Sequence, residues 1–422
     1  MKFILKIHSV IGVLLLIIVS IPIVLSLTTI RHSSDMDEHM KEYIENASYK
    51  NIHIYDSAGT PIYDGGFSDD DVIRKSTFHI VGDRNGSLPK SLLSKESKKE
   101  PEISKLSGYS SREVDINLTI DLSLQKSAYN ALAEKGYNGC IVVIDYLTGE
   151  IKAMVSLPTV DVLNTKYIKD GAFINKAVSV YPPGSVFKAV TVAAALESNP
   201  MVKDYTYDCS GVQNHIVCNG RTAHGHVNLN KILEASCNCA ISYLANTMLS
   251  GEKLNRYAEQ FKLTSSDIAA DISVKKGSLD ATDDLMWSAN GQSKDMFSPL
   301  SVAMFYGAIA NNGIFKELKI YQNTDNSPSE RIMSEATANL LSEAMTPLCK
   351  KSGIKCGAFG KTGTAQLDNK PSHAWFVCSL KDNSAPTYTI VTFLEHGNKS
   401  AEAKSITKEF INRCIIKNKI GA

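Results

Sequence analysis

The sequence predicts a mixed α/β domain built on an antiparallel sheet with helices over its faces, preceded by a membrane-spanning segment and a small β-rich module. Three observations carry that expectation. The run Ile141-Val142-Val143-Ile144-Asp145 is followed by a turn at Leu147-Thr148-Gly149-Glu150 and a returning strand, Ile151-Lys152-Ala153-Met154-Val155, which reads as an antiparallel pair. Two more strands, Ala374 to Leu380 and Tyr388 to Leu394, stand near the C-terminus. Helical segments lie at both ends of this set, Leu124 to Lys135 before it and about Ser400 to Lys417 after it, with Val186 to Ala195 apolar enough for the core.

The chain opens on a stretch from Ser9 to Ile30 without a charged residue. Roughly 20 such residues suffice for a helix to cross a bilayer. Lys2 and Lys6 precede it and Asp35, Asp37 and Glu38 follow, so the positive-inside bias puts the N-terminus in the cytoplasm and the remainder outside. Ser26, Leu27 and Thr28 make a poor cleavage site, so residues 9–30 are read as an uncleaved signal anchor in the cell membrane.

Behind the anchor, Ile52, Ile54 and Tyr55 lead through Asp56-Ser57-Ala58-Gly59 to Ile62 and Tyr63, a small hairpin, and Phe78 to Gly82 reads as another short strand. From Ser91 to Gly108 the composition is that of a solvated linker, rich in Lys, Glu and Ser with Pro101 inside. The expected organisation is therefore an anchor at 9–30, an extracytoplasmic pedestal and linker at 31–108, and one large domain at 109–422. The 422 residues are 43% hydrophobic and 21% charged, which fits a globular chain of that plan, and the formal net charge of +1 offers no global field for nucleic acid.

Ser185-Val186-Phe187-Lys188 places a serine and a lysine three residues apart, on one face of a helix and within reach of a proton transfer. The same spacing recurs at Ser123 and Lys126, Ser273 and Lys276, Ser352 and Lys355, and Ser405 and Lys408, where it reads as ordinary helix surface. Only Ser185 follows Tyr181-Pro182-Pro183-Gly184, a rigid turn ending in a permissive glycine that sets the serine at the positive end of a helix. Downstream lie Ser236-Cys237-Asn238 and then Lys361-Thr362-Gly363-Thr364-Ala365. A Ser-x-x-Lys, a Ser-x-Asn and a Lys-Thr-Gly in this order form the motif set of penicillin-binding proteins and class A β-lactamases.

The chain resembles the class B penicillin-binding proteins along roughly Asn51 to Leu394. Beyond the three motifs, the similar wording includes Leu118-Thr119-Ile120-Asp121 with Gln125, Val143-Ile144-Asp145 with Thr148-Gly149-Glu150, and Asn175-Lys176-Ala177-Val178. It continues through Cys218 with His224-Gly225, Gly291-Gln292 with Pro299-Leu300, and Trp375-Phe376. Two departures stand out: the pedestal is short for that class, and Ser293 follows Gly291-Gln292 where many relatives have glycine.

The resemblance implies a penicillin-binding/β-lactamase-like transpeptidase fold and a peptidoglycan D,D-transpeptidase that joins stem peptides through a Ser185 acyl-enzyme and is acylated by β-lactams. It implies Lys188 as base, with its pKa lowered by burial and by Lys361. Ser236 would relay a proton, and the Asn238 amide would hold a backbone carbonyl of the peptide. The Lys361-Thr362-Gly363-Thr364 strand would bind the terminal carboxylate, and backbone N–H groups of Ser185 and Thr364 would form an oxyanion hole. No cofactor is implied, and a separate membrane glycosyltransferase is the expected partner. The rival activities are a D,D-carboxypeptidase, a class D-like β-lactamase and a non-catalytic β-lactam sensor.

Nine cysteines leave at least one thiol without an intrachain partner. Cys209 with Cys218, and Cys349 with Cys356, bracket turns short enough for hairpin disulfides in an oxidising compartment. Cys237 and Cys239 lack the Cys-x-x-Cys spacing of zinc sites, and His224-Gly225-His226 has no third ligand close by in sequence, so no metal is expected at either and the histidines are read as structural or cleft-lining.

Overall fold

A computed structural model of the chain describes residues 20–21, 49–97, 103–104, 108–109, 113–269, 272–322, 328–354, 357–381 and 385–416. Ser20 and Ile21 apart, the expected anchor lies outside these residues, and no helix among them is long and apolar enough to cross a membrane.

The N-terminal module begins with β1 (Ile52–Tyr55) and β2 (Pro61–Asp64), the expected hairpin, closed by the Asp56 carboxylate accepting from Ala58 and Thr60 N–H. The segment expected to be a strand at Phe78 is instead the end of a helix, α1 (Asp71–Val81). Its cause lies upstream of the apolar run: Asp70 caps the helix by accepting from Val72 and Ile73 N–H, and Gly82 ends it at φ 87°. A run of five residues carries no period strong enough to override those caps. The strand β3 (Val114–Asn117), beyond the expected linker, pairs in parallel with β1 and completes a three-stranded sheet.

The large domain follows with α2 (Leu122–Ala133), the hairpin β4 (Gly139–Asp145) and β5 (Ile151–Leu157), and α3 (Lys188–Ser198). A lobe above the sheet contains β6 (Thr206–Cys209), β7 (Gly225–Asn228), α4 (Leu229–Ala235) and α5 (Asn238–Met248). The chain then returns through α6 (Pro299–Ala310) and α7 (Glu335–Lys351) to β8 (Phe359–Leu367), β9 (Lys370–Ser379), β10 (Tyr388–Leu394) and α8 (Ser400–Ile411).

The five long strands form one antiparallel sheet in the order β8-β9-β10-β4-β5, so the first and last pieces of the domain meet at its centre. Alternation along β4 explains why its sequence is apolar without a break. Ile141 and Val143 pack with Leu124, Ala128, Ile406 and Phe410 of α2 and α8, while Val142 and Ile144 face the cluster that holds α6. Both faces of the sheet are covered, and a two-sided strand has no polar side to show. Every residue of α6 is buried, because it packs against the sheet on one side and α7 on another.

The two modules are tied by a buried amide. Gln125 Nε2 donates to Ser76 O of α1 at 2.7 Å and to Met154 O of β5 at 3.0 Å, and its Oε1 accepts from Met154 N at 2.8 Å. Replacing Gln125 with leucine keeps the volume and leaves buried backbone groups without partners, so we expect a loss of roughly 2–3 kcal/mol, read as a lower urea midpoint with unchanged slope.

Candidate active site

Three stretches of chain converge at the edge strand β8. The turn Pro182-Pro183-Gly184 leads into a single 3-10 turn, Gly184–Phe187, and this runs directly into α3. Ser185 therefore stands at the start of a helix, as its sequence context predicts, and Lys188 follows one turn later. The turn is held from below by Trp375 Nε1 donating to Pro182 O at 2.9 Å and by Tyr306 Oη donating to Val186 O at 2.8 Å.

Two glycines let the strand and the turn touch. Gly184 has φ +57°, and a Cβ there would lie 2.6 Å from Thr364 O; a Cβ on Gly363 would lie 2.9 Å from Pro183 O and 3.0 Å from Val186 Cγ1. Gly184 N–H donates to Gly291 O, and Gln292 Nε2 donates to Thr364 O at 3.3 Å, so the Gly291-Gln292 pair braces both walls. Because the Thr364 carbonyl faces Gly184 and Gln292, its own N–H faces the same side, toward Ser185; N–H and C=O of one strand residue point together. That arrangement suits the expected oxyanion hole.

The Ser236-Cys237-Asn238 motif sits between α4 and α5. Ser236 ends α4 in the left-handed conformation, φ 56° and ψ 42°, which a residue with a Cβ adopts at a cost of roughly 1–2 kcal/mol. The strain aims its hydroxyl at both lysines. Lys188 Nζ donates to Ser236 O at 2.7 Å, to Ser236 Oγ at 3.0 Å and to Asn238 Oδ1 at 2.5 Å. Lys361 Nζ donates to the same Ser236 Oγ at 2.9 Å and to Thr362 O at 3.1 Å. With both lone pairs of Ser236 Oγ taken by amines, its own proton is free to point into the cleft.

Both lysines are buried, at 0% and 1% exposure. Burial pulls Lys188 down to about 7, an effect that the nearby Cys237, Cys218 and Cys239 thiols partly oppose. Burial, reinforced by the Lys188 charge, holds Lys361 well below the usual lysine range. A lysine near neutrality beside a helix-start serine is a competent general base.

Above these residues lies a cleft of about 840 Å³, lined by Ser185, Ser236, Asn238, Thr362 and Thr364 and by the lip Cys218 to Arg221. Asn238 also donates from Nδ2 to Val217 O at 2.7 Å, so one of its two N–H groups holds the lip and one is left for a ligand. All eight sequence-predicted site residues thus meet at one place. Of the unassigned histidines, His373 is buried against Tyr181 and Phe393, its Nδ1 accepts from His396 N–H, and burial lowers its pKa to about 4. It is a neutral core residue.

Residues 139–415 match the penicillin binding protein transpeptidase domain. The chain belongs to this family. Among curated relatives, the peptidoglycan D,D-transpeptidase FtsI of Buchnera aphidicola is 27% identical over 317 residues, 66% of this chain and 54% of its own length. The peptidoglycan D,D-transpeptidase PbpA of Mycolicibacterium smegmatis is 26% identical over 352 residues, 70% of each chain. These relatives agree with the class B resemblance read from the motifs. The chain spans about half the length of the Buchnera relative. In fold, the chain is similar to penicillin-binding protein A from M. tuberculosis, solved as a ceftriaxone acyl-enzyme complex, with TM-score 0.71 and 20% identity over 88% of this chain and 99% of that one. Pseudomonas aeruginosa PBP2 is similar at TM-score 0.69.

The structure differs from the sequence reading at the cysteines. Cys209 and Cys218 are free thiols with sulfurs 3.8 Å apart, whereas a disulfide needs about 2.05 Å. Cys349 is a buried free thiol, and Cys356 lies outside the described residues. What sequence reasoning missed is that Cys209, Cys218, His224 and Cys237 gather at the wall of the cleft, with ligand atoms all within 4.8 Å of one another. Cys237 was judged with Cys239, its neighbour in sequence, and His224 with His226; neither neighbour is in the group, so spacing alone hid it.

Ser293, the departure from the family pattern, has φ +70° and is exposed. A glycine there pays no Cβ penalty, so Ser293→Gly should raise stability by about 1 kcal/mol, measured by thermal unfolding. Gly184→Ala should cost about 2 kcal/mol or more and slow the reaction of Ser185, because β8 must move away. Gly59→Ala, also at positive φ but with nothing within 4 Å, is the control and should cost only about 1 kcal/mol.

Proposed function

We propose that the chain is a peptidoglycan D,D-transpeptidase working through an acyl-enzyme on Ser185. The observation that carries this reading is the pair of buried amines, Lys188 and Lys361, sharing the Ser236 hydroxyl beside a helix-start serine that opens onto the cleft. The names of the curated relatives and the acyl-enzyme complexes of a structural neighbour support it.

In this mechanism Ser185 Oγ attacks the carbonyl carbon of the D-alanyl-D-alanine bond as its proton passes to neutral Lys188. The oxyanion is received by the N–H groups of Ser185 and Thr364. Collapse breaks the C–N bond, and the departing D-alanine takes the proton through Lys188 and Ser236. An amine of a second stem peptide then attacks the ester carbonyl, gives up a proton along the same path, and restores Ser185 with the new amide formed. Lys361, Thr362 and Thr364 hold the donor's terminal carboxylate, and Gly363 keeps the strand close to the nucleophile. A β-lactam follows the first half of this course and leaves a slowly released ester.

The uncharged stretch at 9–30, with lysines before it and acidic residues after it, supports a single-pass signal anchor in the cell membrane and an extracytoplasmic catalytic domain on a short pedestal. Glycan polymerisation would then fall to a separate membrane glycosyltransferase. A structural neighbour from a peptidoglycan synthase complex that coordinates polymerization and crosslinking, and another from a complex of Helicobacter pylori PBP2 with MreC, support such an assembly.

Mass spectrometry of the chain incubated with a fluorescent penicillin tests the reading. A persistent adduct absent from Ser185→Ala is expected; rapid loss with hydrolysed drug would mean a β-lactamase, and no adduct would refute an acyl-enzyme. The base is the free amine of Lys188, so acylation should be slow below pH 7, rise as the proton is lost near pH 7, and level off above it. Lys188→Met should remove that rise and slow acylation on the order of 10²–10⁴-fold in stopped-flow measurements.

A further inference from the structure

We propose that Cys209, Cys218, His224 and Cys237 bind one zinc ion, and that this ion fixes the Ser236-Cys237-Asn238 motif in place. The four form a Cys-x8-Cys-x5-His-x12-Cys pattern whose donor atoms all fall within 4.8 Å of one another. A tetrahedral zinc with its usual bond lengths sets sulfurs roughly 3.8 Å apart and a sulfur and a nitrogen roughly 3.6 Å apart. The structure has Cys209 Sγ to Cys218 Sγ at 3.8 Å, Cys218 Sγ to Cys237 Sγ at 3.7 Å, and Cys209 Sγ to His224 Nδ1 at 3.5 Å.

The neighbours that are not ligands are equally informative. His226 turns away to pair with Asp208 at 2.8 Å on the exposed side of the β6–β7 ribbon. Cys239 reaches Cys218 Sγ at 3.5 Å, yet its sulfur also lies 3.7 Å from Ile216 O, the contact of a thiol that keeps its proton. A disulfide would not require an imidazole nitrogen aimed at the sulfurs. Three thiolates and one imidazole are the donor set of structural zinc.

The surrounding chain gives the ion a mechanical task. From Thr206 to Asn228 the buried side chains are Cys209, Ile216, Cys218 and Val227, too few for a core, and a segment of this kind is commonly held by a metal or a covalent link. Two of the ligands adjoin catalytic groups. Cys237 stands between Ser236 and Asn238, and Cys218 follows Val217, whose carbonyl accepts from Asn238 Nδ2. An ion bridging Cys218 and Cys237 therefore clamps the cleft lip to the residues that receive Lys188, with the cysteines as positioning residues.

The test uses the full-length chain purified in detergent under reducing conditions. Elemental analysis should find about one zinc per chain, and cobalt substitution should give thiolate-to-cobalt charge-transfer bands with tetrahedral ligand-field bands. Cys218→Ser and Cys237→Ser should lose the metal, while Cys239→Ser and His224→Cys retain it. Should the serine variants fail to fold, the cobalt spectrum of the unmutated chain decides the site. No zinc with no cobalt bands, Cys209, Cys218 and Cys237 recovered as disulfides, or loss of metal in Cys239→Ser would each overturn the assignment.

The mechanical half rests on the transpeptidase reading: stripping the ion with a chelator should slow acylation by a fluorescent penicillin on the order of 10- to 100-fold, with zinc restoring it. An unchanged rate in metal-free protein would overturn the clamp. Metal content is measured without any substrate, so failure of the site and failure of the transpeptidase reading are told apart.

Discussion

Two amines shielded from solvent meet on one serine oxygen, and the rest of the domain is arranged around that contact. Burial strips both ammonium groups of hydration, and the Lys188 charge adds to the cost of a charge on Lys361; the relief available is for a proton to leave. Lys188 is drawn down to about 7, and it lies one helical turn from Ser185. The carbonyl of Ser236 and the amide oxygen of Asn238 hold the protonated form when it returns.

Holding that contact requires backbone that most sequences cannot supply. Ser236 is kept left-handed at the end of α4, Gly184 is kept left-handed at the start of the Ser185 turn, and Gly363 lets β8 pass within contact of that turn. None of these is stabilising by itself. The sheet carries the cost: β8 is fixed along its length to β9, and β9 to the centre, while α6 fills the space beneath. The catalytic edge is positioned by a sheet whose both faces are buried, and is correspondingly rigid.

Much of this was legible in order along the chain. The β4–β5 and β10 strands, α2, α8 and the nucleophile turn follow from local pattern, since each is a single segment whose periodicity or punctuation names its conformation. The strand expected near Phe78 did not form, because the capping carboxylate of Asp70 outweighs a short apolar run. The left-handed Ser236 left no mark either, as serine at a helix end usually signals a cap rather than strain.

By itself the sequence determined which serine, which lysines and which strand to look for together, because motif residues lie within one turn or one strand of each other and bring their geometry with them. Tertiary structure alone decided what lies near what across distance. It set Gln125 between the two modules, brought Lys361 to the same oxygen as Lys188 from 173 positions away, and gathered Cys209, Cys218, His224 and Cys237 behind the motif. The physical reason is that local spacing encodes dihedral angles and faces, whereas the meeting of remote side chains depends on how whole elements pack, and no single segment contains that information.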